Sequence, residues 1–168
     1  MDKARGTGLS DEERARRGFV QGNLTNELLD RFQDGPGIFV ADAAGELAGF
    51  AITSEPDWLP RTHPAAAAVS AVVSAADGAD LGRLFLYGPV AVDERFQGRG
   101  VLTRLLRALC RALRDDFDLA VAFVETANER SLAVHRHYGM AEAAHFEVGG
   151  RTYVAFTFSP AAFADKQS

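Results

Sequence analysis

Cysteine occurs once in this chain, at Cys110. A lone thiol excludes an internal disulfide and fits a reducing compartment. It falls inside a long helical pattern, where a half-buried structural thiol is expected rather than a nucleophile. No apolar run is long enough to span a bilayer. The N-terminus is charged and carries no apolar segment of the signal-peptide kind. These absences lead to the expectation of a cytoplasmic protein without a membrane partner. Positive charge is not in excess either. The net charge is −5, so nucleic acid is not expected as a partner. No repeats are visible, and no low-complexity segment beyond one alanine-rich run. What remains is ordinary for one globular domain: 168 residues, 47% hydrophobic and 24% charged, enough to bury a sizeable core.

The chain is organised around Leu84 to Leu113. Leu84 to Val92 is apolar and β-prone, with Gly88-Pro89 inside it. Proline cannot donate to a ladder, so this pair marks a bulge or a parting of strands. Asp93 to Phe96 turns the chain, and Gln97-Gly98-Arg99-Gly100 enters a helix. Leu102, Leu105, Leu106, Leu109 and Leu113 give that helix one apolar face. Glycines at a helix mouth admit a ligand to the backbone, and the free first-turn N–H groups suit an anion such as a pyrophosphate. A P-loop is excluded, because no Gly-Lys-Ser/Thr follows the glycines. A dinucleotide fold fits poorly. Thr103 stands where its third glycine belongs, and the approach to Gln97 is too long for its tight turn.

The remaining elements read as follows. Residues 1–9 look disordered. Ser10-x-x-Glu13 is a capping box for a helix from Asp11 to about Arg17, followed by an apolar anchor at Phe19-Val20. Thr25 caps a second helix to about Phe32, with Leu24 and Leu29 as a staple. Ile38 to Asp42 and Leu47 to Ser54 form a hairpin. Residues 55–82 are an insertion with three prolines, Trp58, His63 and an alanine-rich helix over Ala65 to Ala76. It is either a lid over a site or a packed surface helix. Asp118 to Glu125 is a buried strand, parallel to the first across a right-handed crossover. A helix from about Ser131 to His137 ends at Gly139. Ala144 to Val148 and Thr152 to Phe158 form a hairpin at Gly149-Gly150. The tail after Pro160, residues 161–168, reads as loose.

Gln97-Gly98-Arg99-Gly100-Val101-Leu102 resembles the Q/R-x-x-G-x-G/A acyl-CoA motif of the GNAT acetyltransferase superfamily, with Leu102 departing at the last position. Asn128 through Met140 resembles that family's N-x-x-A/S-x-x-x-Y-x-x-x-G-F segment. The resemblance covers Ile38 to Phe158. It implies an α/β fold: a mixed, twisted, splayed sheet flanked by helices, occupying residues 10–160. A complete member opens with a strand that is not evident in Met1 to Ser10. That element is reduced, absent, supplied by another subunit, or cut off. If it is lost, one sheet edge is open, and a homodimer is one expectation.

The resemblance also implies acetyl-CoA as acetyl donor, an amine of a small molecule or peptide as acceptor, and no metal. Val90, Ala91 and Val92 would meet the pantetheine arm. Gln97, Gly98, Arg99, Gly100, Val101, Leu102 and Thr103 would hold the pyrophosphate, with Arg99 and Arg136 near the phosphates. Asn128 would contact the arm, or simply close a strand-end turn. His135 stands where the family usually has a tyrosine acting as general acid for the thiolate. It can donate a proton, hydrogen-bond the cofactor, or be structural. Glu125 and Glu55 are candidate bases, and Trp58 and Tyr87 candidate acceptor contacts. The competing reading is a non-catalytic acyl-CoA-binding module of the same fold.

Overall fold

The computed structural model describes residues 25–166. The capping box at Ser10, the helix expected from Asp11, Phe19-Val20 and Leu24 lie outside the described residues, as does any opening strand. Thr25 adopts extended backbone, and its hydroxyl accepts the Leu28 N–H at 3.2 Å. That cap starts helix α1, Asn26–Gln33, as its sequence leads one to expect. Strands β1 (Gly37–Ala43) and β2 (Glu46–Ser54) follow as an antiparallel hairpin. Ala44 and Gly45 turn it with φ of 55° and 86°.

The insertion contains helix α2, Pro64–Ala75, capped by the His63 ring accepting the Ala65 N–H at 3.1 Å. Its buried face is Ala65, Ala68 and Val72, which meets Leu86, Val121 and Ala155 of the sheet. Of the two expectations, these contacts describe the packed helix. Small alanines let its backbone lie close to the strands.

Strand β3 is Leu84–Val92 and helix α3 is Val101–Leu113. Gly100 caps α3 in left-handed backbone, φ 72°, where glycine carries no steric cost. The apolar stripe of α3 buries Val101, Leu105, Leu106, Leu109, Cys110 and Leu113. Each fully buried leucine there contributes about 2 kcal/mol. Leu102, at the stripe's margin, is half-buried. Strand β4 (Leu119–Glu125) and helix α4 (Glu129–His137) come next, then strands β5 (Ala141–Val148) and β6 (Arg151–Phe158).

The six strands form one sheet in the order β1-β2-β3-β4-β6-β5. Only β3 and β4 are parallel; the other neighbours are antiparallel. On one face, α3 and α4 cover Phe85, Tyr87, Ala122 and Phe156. On the other, α2 covers Leu86 and Val121, while α1 covers Phe50 and Ile52.

Two elements differ from their sequence reading. β5 starts at Ala141, because a register shift between Glu142 and Ala144 breaks the alternation that would have revealed its first residues. The tail is not loose: Pro160–Lys166 is helix α5. The Ser159 hydroxyl accepts the Ala162 N–H at 3.3 Å, Pro160 suits a first helical position, and Phe163 is buried against Phe158 and Tyr138. No helix among the described residues is long and apolar enough to cross a membrane.

Candidate active site

The sheet opens in its middle. β3 pairs with β4 only over Leu84 to Leu86, against Leu119 to Val121. Beyond Leu86 the two strands part, and each keeps only its outer neighbour. β2 follows β3 through the parting with a register shift between Ala51 and Thr53, opposite Gly88-Pro89. The sequence placed a bulge at that pair for lack of a proline N–H.

The ladder decides which backbone groups face the gap. The Asp93 N–H donates to the Ala48 carbonyl at 2.9 Å. In an antiparallel ladder the hydrogen-bonded pairs alternate, so Ala91, paired with Phe50, is the next residue turned toward β2. Val90 and Val92 turn their N–H and C=O groups toward the gap. Ala91 differs from its sequence assignment here: its main-chain groups serve the sheet, and its side chain joins the α1 cluster.

At the mouth of the gap lies the glycine turn. Gly98 and Gly100 have φ of 73° and 72°, and a Cβ on either would meet nothing within 4 Å. Among the described residues, the N–H groups of Gly98 to Thr103 have no acceptor; the first helical bond is from Arg104 N–H to Gly100 C=O. A cluster of free donors at the positive end of a 13-residue helix is an anion site in waiting. The Gln97 side chain donates to the Val92 carbonyl at 3.2 Å and accepts from Arg130. Thr103 and Tyr138 share a hydrogen bond of 2.8 Å between hydroxyls. The turn is thus tied to both ends of α4.

Asn128 is buried, and its side chain accepts the Ser131 N–H at 3.2 Å. It caps α4 at the open end of β4. Arg99 is exposed, its guanidinium 5.8 Å from the Phe96 ring centroid. Arg136 is engaged elsewhere, with Glu142 at 2.6 Å. Arg130 is the basic residue that touches the turn, and sequence reading passed it over. Its signal was its place in the first turn of the helix that follows the second strand.

His135 lies inside the opened face. Its Nδ1 is 2.7 Å from the Ser131 carbonyl. A carbonyl only accepts, so Nδ1 carries the proton and Nε2 is bare in the neutral ring. Burial holds the imidazole below its ordinary pKa, partly offset by that hydrogen bond. An acid at Nε2 would need the imidazolium, which burial disfavours. The geometry fits a proton acceptor. Beside it, Tyr87 is 6% exposed, its ring 6.2 Å from the His135 ring and 5.4 Å from Phe158.

Two predicted site residues fall elsewhere. Glu125 alternates to the other face of β4, where its carboxylate accepts from Arg151 at 3.0 Å. Trp58 packs with Phe32, Phe50 and Ile52, under the Arg31 guanidinium at 5.7 Å. A Cβ on Gly35 would lie 1.9 Å from the Trp58 ring, so that glycine is what lets the indole seat. Glu55 is half-buried and precedes the short turn of helix that ends at Trp58. Cys110 is fully buried, its thiol pushed up to about 12 by desolvation, as befits a structural residue. A groove of about 530 Å³ lies between β1 and α3 rather than in the gap. Its lining is mainly apolar, and it lacks the convergence of free amides found in the gap.

The profile of the acetyltransferase (GNAT) family matches residues 10–140. The chain belongs to that family. Solved structures share its fold at low identity. The protein smu.2055 of Streptococcus mutans UA159 aligns over 94% of this chain and 90% of its own, with TM-score 0.61 and 13% identity. Ard1 of Thermoplasma volcanium aligns over 90% and 93%, with TM-score 0.59 and 20% identity. The aminoglycoside acetyltransferase AAC(6')-Ib, solved in complex with coenzyme A, aligns over 84% and 75%, with TM-score 0.58 and 16% identity. No curated protein matches the sequence. The mixed six-stranded sheet flanked by helices is the GNAT architecture.

Proposed function

We propose that this GNAT protein transfers an acetyl group from acetyl-CoA to an amine of a small molecule or peptide. The observation behind this is the pairing of two backbone features. Val90 turns its main-chain groups and Val92 its N–H into the gap, and the unpaired amides of Gly98 to Thr103 stand at its mouth. A pantetheine arm carries amides that pair like an added strand, and its pyrophosphate suits the amide cluster. These are main-chain contacts, so Leu102 is compatible with them. Arg130 and Arg99 supply positive charge beside the phosphates, and Asn128 holds α4 against the arm.

The bound donor supplies an activated acyl carbon. The amine attacks it while neutral, the carbon–nitrogen bond forms, and the carbon–sulfur bond breaks. His135 takes the amine's surplus proton at Nε2, and an N–H in the gap steadies the oxyanion. Glu125 is the weaker base, since its carboxylate is already committed to Arg151 across the sheet. Acidic composition, at a net charge of −5, favours a cationic acceptor in the encounter.

A binding module without turnover is the competing reading, favoured by the departures at Leu102 and His135. Thiol release from acetyl-CoA, followed with a chromogenic thiol reagent across a panel of amines, separates the two. The proposal expects saturable release with at least one amine, lowered at least tenfold in His135→Ala. Release that no amine accelerates, with acetyl-CoA still bound, favours the module.

A further inference from the structure

His63 lies in the insertion, and the mechanism above leaves it unused. Its ring caps α2, with the Ala65 N–H donating to Nδ1 at 3.1 Å. An amide N–H only donates, so Nδ1 is bare and the neutral ring carries its proton on Nε2. Burial keeps the ring neutral by lowering its pKa. The Nε2–H meets no acceptor among the described residues. The ring stands edge-on to Phe123, with centroids 6.2 Å apart. Phe123 lies two residues beyond Val121, the last residue of β4 paired with β3, and shares its face of the sheet. His63 therefore stands over the opened stretch of β4, on the face opposite His135. Backbone groups hold the two rings in opposite tautomers: His135 offers a bare Nε2, and His63 an Nε2–H.

The two faces of β4 differ in cover. On the His135 face, Ala122 and Val124 are 1% and 3% exposed. On the α2 face, Phe123 and its neighbour Phe146 are only half-buried. Beside them, Tyr153 stacks on Phe146 at 5.2 Å and stands edge-on to Phe123 at 6.0 Å. An aromatic surface of this kind takes a further ring edge-on or offset. We infer that the acceptor enters across the α2 face, its body against Phe123 and Phe146, and that the His63 Nε2–H donates to an oxygen it carries. The inference rests on the acetyl-transfer reading and names its acceptor class: an amine with an aromatic body and an acceptor oxygen. The hydrogen bond fixes the body and so presents the nitrogen to the acyl carbon in the gap. His135 takes the surplus proton from the other side, and His63 keeps its own throughout.

The test follows thiol release from acetyl-CoA with phenethylamine, phenylalaninamide, 4-methoxyphenethylamine and butylamine. The first has the ring alone. The next two add an oxygen, beside the nitrogen or at the far end of the ring, and the last has neither ring nor oxygen. In the wild-type protein, kcat/KM for at least one oxygen-bearing amine should exceed that for phenethylamine about fivefold, as one neutral hydrogen bond provides. Butylamine should be the poorest. His63→Asn removes the Nε2–H but keeps the cap, since asparagine is a preferred residue there. It should erase the oxygen's advantage while leaving phenethylamine turnover and the melting temperature unmoved. Calorimetric titration of the favoured amine into the coenzyme A complex should show the same loss of affinity. An advantage that survives in His63→Asn overturns the inference, and so does a wild-type protein that ranks the four amines alike or prefers butylamine. Turnover of other amines but none of these four overturns it as well. In each of those cases the acetyl-transfer reading stands. Release that no amine of a wide panel accelerates overturns that reading and this one together.

Discussion

Gly100→Asp isolates the electrostatics of the proposed cofactor site. Gly100 caps α3 at φ 72°, and a Cβ there would meet nothing within 4 Å. Strain is therefore confined to the backbone. A left-handed residue costs most side chains about 1–2 kcal/mol, and asparagine and aspartate least, because they bond locally. Aspartate at a helix N-terminus recovers a few tenths to about 1 kcal/mol from the dipole. Folding stability should change little. Binding should not escape so lightly. At about 4 Å two unit charges interact by about 1 kcal/mol in water and about 4 kcal/mol near a protein surface. A carboxylate beside a bound pyrophosphate lies between these limits, at about 2 kcal/mol, or roughly 30-fold in Kd. Gly100→Asn has the same shape and backbone tolerance without the charge. Calorimetric titration of acetyl-CoA into the two variants should show the aspartate roughly 30-fold weaker at low salt, with the difference shrinking as salt is added. Equal affinities in the two would refute a phosphate at this turn.

Three further outcomes follow from the packing and the protonation states. Gly35→Ala should lower stability by about 1–3 kcal/mol in denaturant melts, because its Cβ would lie 1.9 Å from the Trp58 ring; acetyl-CoA affinity should not move, and an unchanged midpoint would contradict the seating of the indole. Burial depresses the pKa of both His63 and His135, so the unfolded chain binds more protons than the folded one below the ordinary value of 6.5. Stability is full above pH 6.5 and falls as the pH drops toward the folded values; replacing both histidines with glutamine should flatten that limb, and an unaltered limb would show the depression to be absent. Cys110 should react with a thiol reagent only in denaturant, given its burial and its pKa of about 12; native labelling at the rate of a free thiol would contradict its placement.

The sheet and its opening were legible because the signals were local. Gly88-Pro89 cannot continue a ladder, Gly98 and Gly100 require left-handed backbone, and the α3 leucines repeat at helical spacing. Gly149-Gly150 marked its hairpin in the same way, with φ of 57° and 74°. The start of β5 was hidden, since its bulge destroys the alternation by which a half-buried strand is recognised. Helix α5 was missed although Ser159-Pro160 is a cap followed by a first-turn proline. Its one large apolar residue, Phe163, is enclosed only once the fold sets it against both Phe158 and Tyr138. Site roles were the least legible. Glu125 and His135 are ten positions apart, and only the strand's alternation sends the carboxylate to the far face and into Arg151. The proton position on His135 depends on the Ser131 carbonyl one turn before it, which residue identity does not reveal. Trp58 suggested a contact residue because it lies in an insertion, yet Gly35 provides the space in which its indole packs, half-buried, against the α1 cluster.

The central claim is that the donor lies in the gap between β3 and β4 with its pyrophosphate on the turn before α3. Backbone amide shifts, followed by nuclear magnetic resonance as acetyl-CoA is added, test it directly. The account predicts the largest shifts at Val90, Val92 and Gly98 to Thr103, with smaller ones at Asn128 and His135. Shifts confined to the groove between β1 and α3, or no shifts at millimolar acetyl-CoA, would contradict it.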